Sequence, residues 1–247
     1  MKIYGLIGNP LSHSFSKKYF TEKFSNENIN DCEYRNFEIK NLKEEIPLLK
    51  NNPFLSGLNV TIPYKSQIIP FLDTISKECN EINACNCIKI DKGKWSGFNT
   101  DVTGFEKSFV PFLQSHNVKA LILGTGGSSK AVAFVLKRLQ IDFLFVSRKK
   151  DFSEEMINYE SISPLIMKEY FIVINTTPLG MFPNVDSYPQ LPYEFVSDKH
   201  YFFDLVYNPS RTLFLAKAEA MGAVVKNGED MLSIQAEESW RIWNNLK

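Results

Sequence analysis

Residues 118–130 read VKALILGTGGSSK, and this stretch decides the fold. The apolar run from Val118 to Leu123 is predicted to be a strand covered on both faces, as in a parallel sheet flanked by helices. A glycine turn follows it, then a predicted helix over Ala131–Leu139 and a second apolar strand over Phe143–Val146. This order of elements within about 30 residues is the setting of a dinucleotide-binding fingerprint. The alternative is a tight turn that binds no ligand.

The glycine turn is predicted to hold a pyrophosphate, because glycines let the backbone approach it at a helix N-terminus. The cofactor-binding candidates here are Gly124, Gly126, Gly127 and Ser128. Ser129 stands where the third small residue of the fingerprint belongs.

The end of the second strand indicates which dinucleotide binds. An NAD-preferring site places Asp or Glu there, where the carboxylate bonds the ribose 2′-hydroxyl. This chain has Ser147, Arg148, Lys149 and Lys150 instead. Arg can clamp a phosphate with two hydrogen bonds, so we expect NADP(H) rather than NAD. The alternative is a solvated basic loop.

Strands and helices alternate along the rest of the chain with no low-complexity linker, which predicts an α/β fold. Further strands are predicted over Ile3–Ile7, Tyr34–Ile39, Phe171–Ile174, Phe202–Leu205 and Val224–Val225, with a hairpin joining Ala84–Ile90 to Trp95–Phe98. Further helices are predicted up to Phe24, over Asn41–Leu49, Ile68–Glu78, Asp101–Ser115 and Thr212–Met221, and from the Asn227–Met231 segment to Asn245.

The segment Gly57–Lys65 is predicted to be a buried strand that runs into a proline turn. Asn59 and Thr61 are two residues apart, so on a strand they point to the same face. Pro63 ends the strand because it lacks an N–H, and Lys65 follows the turn. Taken alone, this pattern favours an edge strand with a solvated lysine. The serines before the first helix, Ser14 and Ser16, are either helix caps or ligands of a carboxylate.

Composition bounds the function. The 28 basic and 28 acidic residues among 247 cancel, so no overall charge draws the protein to nucleic acid or to anionic lipid. The amino terminus lacks the features of a signal peptide. The four cysteines form no CxxC pair, which predicts a reduced, cytoplasmic protein without a metal. A zinc site built from Cys85, Cys87 and a distant histidine is a weaker alternative.

The domain before the glycine turn is the predicted substrate domain. Tyr19 and Lys23 have the Tyr-x-x-x-Lys spacing of short-chain reductases, but they precede the turn, whereas in that class the pair follows it. Zinc alcohol dehydrogenases need Cys and His ligands that this chain does not supply. Lys65 and Asp101 are therefore the best acid–base candidates.

The chain resembles shikimate dehydrogenases over nearly its whole length. Seven segments occur in the family's order: 8–16, 57–65, 82–87, 99–101, the glycine turn, 175–181 and 228–235. The resemblance implies a two-domain α/β protein that uses NADP(H) to reduce 3-dehydroshikimate to shikimate in aromatic amino-acid biosynthesis. It implies a substrate domain over residues 1–100, a Rossmann-like NADP domain over 101–226 and a C-terminal helix, 227–247, that returns to the substrate domain.

The resemblance also assigns roles. Lys65 and Asp101 correspond to the family's catalytic pair. Substrate contacts are implied for Ser14, Ser16, Asn59, Thr61, Asn86, Tyr207 and Gln235. Further cofactor contacts are implied for Thr176, Gly228 and Met231. The partner is a small molecule, and the protein is expected to be a monomer or a homodimer.

Some residues depart from the family pattern. Lys17 replaces the usual proline after the second serine, and Cys87 and Ser147 replace the usual Thr and Asn. None of these changes removes a catalytic group. Two alternatives stay open: a quinate/shikimate dehydrogenase of broader specificity, and a non-catalytic NADP-binding sensor on the same fold.

Overall fold

The chain folds into two compact units in a computed structural model that describes residues 1–11, 15–113, 118–148 and 155–246. The first unit comprises Met1–Thr100 and Ala236–Lys247, and the second comprises Asp101–Gln235. Each unit is built around its own sheet. The predicted α/β fold with two units is confirmed.

The first unit contains a six-stranded mixed sheet in the order β2-β1-β3-β5-β6-β4. Its elements are β1 (Lys2–Gly8), α1 (Phe15–Asn26), β2 (Cys32–Glu38), α2 (Leu42–Lys50), β3 (Leu55–Val60), β4 (Thr74–Ile75), α3 (Lys77–Ile82), β5 (Cys87–Asp91) and β6 (Lys94–Phe98). β1, β2 and β3 are parallel to one another, whereas β5 runs antiparallel to both β3 and β6. The carboxyl ends of β1 and β3 therefore lie beside the start of β5.

Apolar side chains cover both faces of this sheet. On one face, Ile7 and Leu58 pack in a cluster with Ile46 of α2. On the other, Tyr4 stacks on the Trp243 ring with a centroid distance of 4.8 Å. The burial of β1 on both faces explains why its sequence is a nearly continuous apolar run, whereas β3 carries Ser56 and Asn59 among its apolar residues.

The second unit contains a six-stranded sheet in which every strand pair is parallel. Its elements are α4 (Thr100–Phe109), β7 (Ala120–Leu123), α5 (Gly127–Arg138), β8 (Phe143–Ser147), β9 (Met156–Asn158), α6 (Pro164–Glu169), β10 (Ile172–Asn175), β11 (Tyr201–Asp204), α7 (Leu213–Ala220), β12 (Val224–Lys226) and α8 (Glu229–Trp243), with α4 and α8 extending across the unit boundaries. The order β9-β8-β7-β10-β11-β12 is that of a doubly wound Rossmann sheet. The strand order reverses between β7 and β10, where such sheets bind their ligands.

Several local predictions are confirmed. Asn41 caps α2, since its side chain accepts a hydrogen bond from Lys43 N. The helix predicted over Thr212–Met221 is α7, which Thr212 caps and which Gly222 follows with a φ of +93°. The β5–β6 hairpin turns at Lys92 and Gly93, both with positive φ, as a two-residue hairpin turn requires.

Other local predictions are wrong. The helix expected over Ile68–Glu78 is instead a short 3-10 turn, the strand β4 and the separate helix α3. Ser76 caps α3, because its hydroxyl accepts a hydrogen bond from Cys79 N, and this new start explains the break. Asn86, expected within a strand, lies one residue before β5.

The fold differs from prediction at three further points. α5 begins at Gly127, four residues earlier than expected, because the turn itself supplies the first helical residues. α4 ends at Phe109, where a 3-10 turn containing Pro111 follows; the expected end at Ser115 lies outside the described residues. The elements β9 and α6 were not predicted. Among the described residues, no helix combines the length and apolarity needed to cross a membrane.

A buried carboxyl group ties together the carboxyl ends of β10 and β11. Asp204 accepts hydrogen bonds from Asn175 Nδ2 at 2.9 Å, Val206 N at 3.0 Å and Thr212 Oγ1 at 2.6 Å. Its side chain is fully buried. Burial outweighs these donors and raises the pKa of Asp204 from 3.8 to about 6.

This pKa shift predicts a pH-dependent stability. A carboxyl with a higher pKa in the folded state stabilises the fold fully below about pH 3.8, and that contribution is lost as the pH rises through about 6. The loss amounts to about 3 kcal/mol at most. We expect the difference in free energy of unfolding between wild type and Asp204→Asn to change across this range, as measured by urea denaturation. The exposed Asp142→Asn variant should keep the wild-type profile; identical profiles for wild type and Asp204→Asn would contradict the assignment.

Candidate active site

The first part of the candidate site is the turn after β7 in the second unit. Gly124 has a φ of +106°, in the region that favours glycine. A Cβ at this position would lie 2.9 Å from Thr176 Oγ1, so the turn and the end of β10 approach closely. Thr176 seals this contact by donating to the Leu123 carbonyl through both N, at 3.0 Å, and Oγ1, at 2.6 Å. Thr176 thus lies beside the glycine turn, at the point where the strand order reverses.

The turn leads directly into the N-terminus of α5. Gly126 is the cap residue and makes no side-chain cap bond, and the first turn carries no acidic side chain. A methyl group on Gly126 would meet no other described atom within 4 Å. The buried Ser129 hydroxyl donates to Gly126 O at 2.6 Å, so a serine fits the third fingerprint position. Open space beside glycine backbone at a helix N-terminus is what a pyrophosphate needs.

The neighbouring strand end carries the residues expected to select the cofactor. Ser147 is the last residue of β8 and is buried, while Arg148 follows it and is exposed. Arg148 is close enough to Tyr159 to lower the pKa of that phenol, although burial dominates and raises it to about 12. Lys149 and Lys150 lie outside the described residues. Neither of the two described residues at this strand end carries a carboxylate.

The segment after β11 and the start of α8 carry four more of the predicted residues. Gly228 lies so close to β11 that a Cβ would be 2.3 Å from Leu205 O. Tyr207, which follows β11, is partly buried, and burial raises its pKa. Met231 and Gln235 follow on α8 and are both buried, with Gln235 Nε2 donating to Leu232 O at 3.0 Å.

Gly104 is a residue of this region that the sequence analysis missed. It lies on α4, three residues after Asp101, and a Cβ there would be 2.8 Å from Met231 O and 3.0 Å from the Gln235 Cβ. The first turns of α4 and α8 therefore pack backbone against backbone. A glycine inside a helical pattern was the available signal.

In the first unit, Asn59 and Asn86 form a buried amide cluster. Asn86 O accepts from Val60 N at 2.8 Å and from Asn59 Nδ2 at 3.3 Å. Asn86 Oδ1 accepts from Thr100 N at 2.6 Å, and Asn86 Nδ2 donates to Thr100 Oγ1 at 3.1 Å. Asn59 Oδ1 accepts from Tyr34 Oη at 2.8 Å. The structure thus brings these two predicted residues together within one network.

The segment Gly57–Lys65, called the lysine segment below, is held beside this cluster by hydrogen bonds of its backbone. β3 ends at Val60, but Thr61 N still donates to Ile7 O at 2.8 Å. Tyr64 N donates to Thr61 O at 2.9 Å, which closes the turn around Pro63. Cys85 N then donates to Lys65 O at 2.7 Å, one residue before Asn86. Lys65 is half-buried, and its backbone carbonyl is bonded to the residue that precedes Asn86.

The two serines stand differently. Ser16 is buried in the first turn of α1, and its hydroxyl is a hydrogen-bond partner of Tyr34. Ser14 lies outside the described residues. Tyr34 and Ser239, which both contact Asn59, were missed by the sequence analysis because single polar residues within apolar patterns carry no signal of their partners.

Asn99 offers an unused acceptor near this cluster. Its Nδ2 donates to Ala84 O at 2.9 Å, which fixes the orientation of the amide. Its Oδ1 is buried and has no hydrogen-bond partner among the described residues. A buried acceptor of this kind calls for a donor such as water or a ligand hydroxyl.

The side chains of Tyr19 and Lys23 contact α8. Both side chains bond Glu237 of α8: Tyr19 through its hydroxyl, and Lys23 at 2.9 Å in a salt bridge that also includes Glu27. Their spacing is thus explained by helix packing within the first unit. No group of three or more His, Cys, Asp or Glu side chains within the described part of the chain is arranged to hold a metal ion.

Comparison with known proteins identifies the family. Residues 6–88 match the model of the shikimate dehydrogenase substrate binding domain. The shikimate dehydrogenase (NADP(+)) of Methanococcus vannielii is 35% identical over an alignment that covers 99% of this chain and 92% of that protein.

Solved structures agree over the full length. Shikimate 5-dehydrogenase from Thermus thermophilus, in complex with NADP(H) and shikimate, has a TM-score of 0.85 at 27% identity, covering 100% of this chain and 94% of its own. Quinate dehydrogenase from Corynebacterium glutamicum, in complex with NAD, has a TM-score of 0.87 at 25% identity, covering 99% and 94%. On this evidence the chain belongs to the shikimate dehydrogenase family.

Proposed function

We propose that the protein catalyses the reversible, NADPH-dependent reduction of 3-dehydroshikimate to shikimate. The observation that carries this proposal is the match to a shikimate dehydrogenase over 99% of the chain, so that both the glycine turn and the lysine segment lie within it. The geometry of each unit supports the proposal. One unit has a doubly wound sheet with open space at its glycine turn, and the other has a lysine anchored beside buried amides.

The proposed reaction needs one hydride and one proton. When bound, NADPH supplies the hydride to the carbonyl carbon of the substrate. Lys65, as the ammonium ion, gives its proton to the oxygen that becomes the hydroxyl, and it takes the proton back in the reverse direction. In this proposal Asp101 orients Lys65 and binds the adjacent substrate hydroxyl.

The substrate is a ring with several hydroxyls and one carboxylate, so it requires many neutral partners and few charges. Asn86, Thr61, Gln235 and Tyr207 are the proposed partners of the ring, and Ser14 and Ser16 hold the carboxylate. A site of this kind rejects analogues that lack a hydroxyl, because its own buried polar groups would be left unpaired.

Asn59 needs a narrower role than the resemblance implies. Both hydrogens of its amide are directed to protein atoms, Asn86 O and Ser239 Oγ, and its oxygen accepts from Tyr34. Only the second lone pair of Oδ1 is available for a substrate hydroxyl. We therefore assign Asn59 mainly to holding Asn86 in place.

The cofactor residues follow the strand ends of the second unit. Gly124, Gly126, Gly127 and Ser128 hold the pyrophosphate, with Thr176 beside the turn. Arg148 and Lys149 hold the 2′-phosphate next to Ser147, and Gly228 and Met231 contact the nicotinamide end. These residues fit a phosphate-bearing dinucleotide, since the turn leaves open space at Gly126 and an arginine follows β8.

One alternative activity has an observation in its favour. A quinate dehydrogenase bound to NAD shares the fold with a TM-score of 0.87, so broader substrate use is the second candidate. A non-catalytic NADP sensor is the third candidate.

We also propose a cytoplasmic location and a monomeric or homodimeric state. All four cysteines are free thiols, which agrees with a reducing compartment.

The direct assay mixes the protein with NADP+ and shikimate and follows the absorbance of the reduced nicotinamide, in parallel with quinate and with NAD+. We expect turnover of shikimate with NADP+. Equal turnover of quinate would favour the broader enzyme. Binding of NADP+ with no turnover of either acid would favour the sensor and overturn the proposed function.

Lys65→Met should lower kcat by about 100-fold or more, because the proton donor is lost. Substrate affinity should change much less, since neutral groups supply most of the contacts. Steady-state kinetics measures both. Lys77→Met, which changes an exposed lysine of the same unit, should leave kcat unchanged. A Lys65→Met variant with near-normal kcat would refute the assignment.

Gly126→Ala and Gly124→Ala separate cofactor binding from folding. Gly126→Ala should keep the melting temperature, since its methyl group meets no described atom within 4 Å, yet weaken NADP+ binding about tenfold or more by filling the space the pyrophosphate needs. Gly124→Ala should lower the melting temperature, because φ is +106° there. Calorimetric titration and thermal melts measure the two effects; undiminished NADP+ binding by Gly126→Ala would contradict this site.

Arg148→Gln tests the choice of cofactor. Removing one charged, bidentate phosphate partner should lower kcat/KM for NADP+ by about tenfold and leave that for NAD+ nearly unchanged. The ratio of the two values is the readout. Arg138→Gln is the control, because it removes a basic side chain of the same unit at the C-terminal end of α5, away from the glycine turn. An unchanged ratio would show that Arg148 does not read the 2′-phosphate.

A further inference from the structure

We infer that Ser239 is a positioning residue for the substrate site. This inference rests on the function proposed above. Ser239 lies on α8, one helical turn after Gln235, and its side chain is fully buried. It belongs to the first unit. Its hydroxyl contacts Asn59 of the buried amide cluster and Thr100, which bonds Asn86.

The first contact of Ser239 is direct. Its Oγ accepts a hydrogen bond from Asn59 Nδ2 at 2.9 Å. Asn86 O, which can only accept, takes the other hydrogen of that amide at 3.3 Å. These two acceptors fix the amide orientation, so that Asn59 Oδ1 faces Tyr34, whose hydroxyl donates to it.

The second contact acts through Thr100. Ser239 Oγ lies 3.3 Å from Thr100 Oγ1, and either hydroxyl can donate. Thr100 N donates to Asn86 Oδ1 at 2.6 Å, and Thr100 Oγ1 accepts from Asn86 Nδ2 at 3.1 Å. One serine on α8 therefore holds Asn59 directly and Asn86 through Thr100, the residue that precedes Asp101.

These contacts set the direction of the hydrogen bonds that the site can offer. Thr100 N is a donor only, so Asn86 Oδ1 must face it, and one Asn86 Nδ2 hydrogen points to Thr100 Oγ1. Without Ser239, Asn59 Nδ2 loses one acceptor and Thr100 Oγ1 loses a buried neighbour. Both asparagines then gain rotational freedom, and the substrate must pay the cost of ordering them on binding.

Cys87 lies against the same hydroxyl. Burial dominates and raises the pKa of this thiol to about 12, while a hydrogen bond with Ser239 lowers it. The Cys87 thiol on β5 thus packs on the Ser239 hydroxyl on α8.

The experiment is a double-mutant cycle with Ser239→Ala, Asn59→Ala and the double variant, measured for KM of shikimate, kcat, NADP+ affinity and melting temperature. Ser239→Ala should raise KM by about fivefold to tenfold, the loss expected for one buried hydrogen bond, with little change in NADP+ affinity. Because part of the effect of Ser239 passes through Asn59, the KM increase of the double variant should be clearly smaller than the product of the two single increases. The part that passes through Thr100 should remain in the Asn59→Ala background.

Ser108→Ala is the matched control. Ser108 is also buried, but its hydroxyl donates only to the backbone at Phe105 O, at 3.0 Å. It should lower the melting temperature about as much as Ser239→Ala without changing KM. If Ser239→Ala does not fold, Ser239→Cys, which keeps a weak acceptor of similar size, is measured in its place.

The outcomes separate the two claims. An active wild type in which Ser239→Ala keeps its KM within about twofold, or in which the effects of Ser239→Ala and Asn59→Ala simply add, overturns the positioning role. A wild type that does not turn over shikimate overturns the proposed function and this inference with it. A raised KM that is not additive with Asn59→Ala supports both.

Discussion

The hydrogen bonds accepted by the Asn86 carbonyl oxygen hold together the part of the first unit that carries the candidate site residues. This oxygen accepts from Val60 N at the end of β3 and from the Asn59 side chain, while the neighbouring Cys85 N holds Lys65 O. These bonds join the end of one strand, the turn that follows it and the start of the antiparallel strand β5. Because the groups are buried, leaving any of them unpaired would cost about 1–3 kcal/mol each. The backbone of the lysine is therefore held in place by the bond from Cys85 N.

In the second unit, polar groups at the ends of neighbouring strands bond to one another. Gly124 brings the turn after β7 against Thr176 at the end of β10, and Asp204 ties the end of β10 to that of β11. The polar groups at the strand ends are thus satisfied by one another. The backbone at Gly126 is left open, at a helix N-terminus where negative charge is favourable. The fold thus leaves open space at the helix N-terminus where we propose that the pyrophosphate binds.

Much of this could be predicted from the sequence because the determining signals are local. The glycine turn lies between two apolar runs, Asn41 begins the predicted second helix, and a proline turn follows β3. Most residues that sequence analysis missed have partners distant in sequence: Tyr34, Gly104 and Ser239 each contact residues far along the chain. The break at Ser76, which replaced an expected helix, is different, because its hydroxyl caps α3 through Cys79 N, only three residues away. The side-chain orientation of Asn59 likewise could not be read from its position on a strand.

We propose that a hydride passes from NADPH to the carbonyl carbon of 3-dehydroshikimate on this protein. The most direct test is a single turnover of 3-dehydroshikimate with NADPH deuterated at C4 of the nicotinamide, followed by mass spectrometry and NMR of the product. The account predicts shikimate that carries deuterium on the carbon that bore the carbonyl group. Unchanged 3-dehydroshikimate, or a product without deuterium at that carbon, would contradict it.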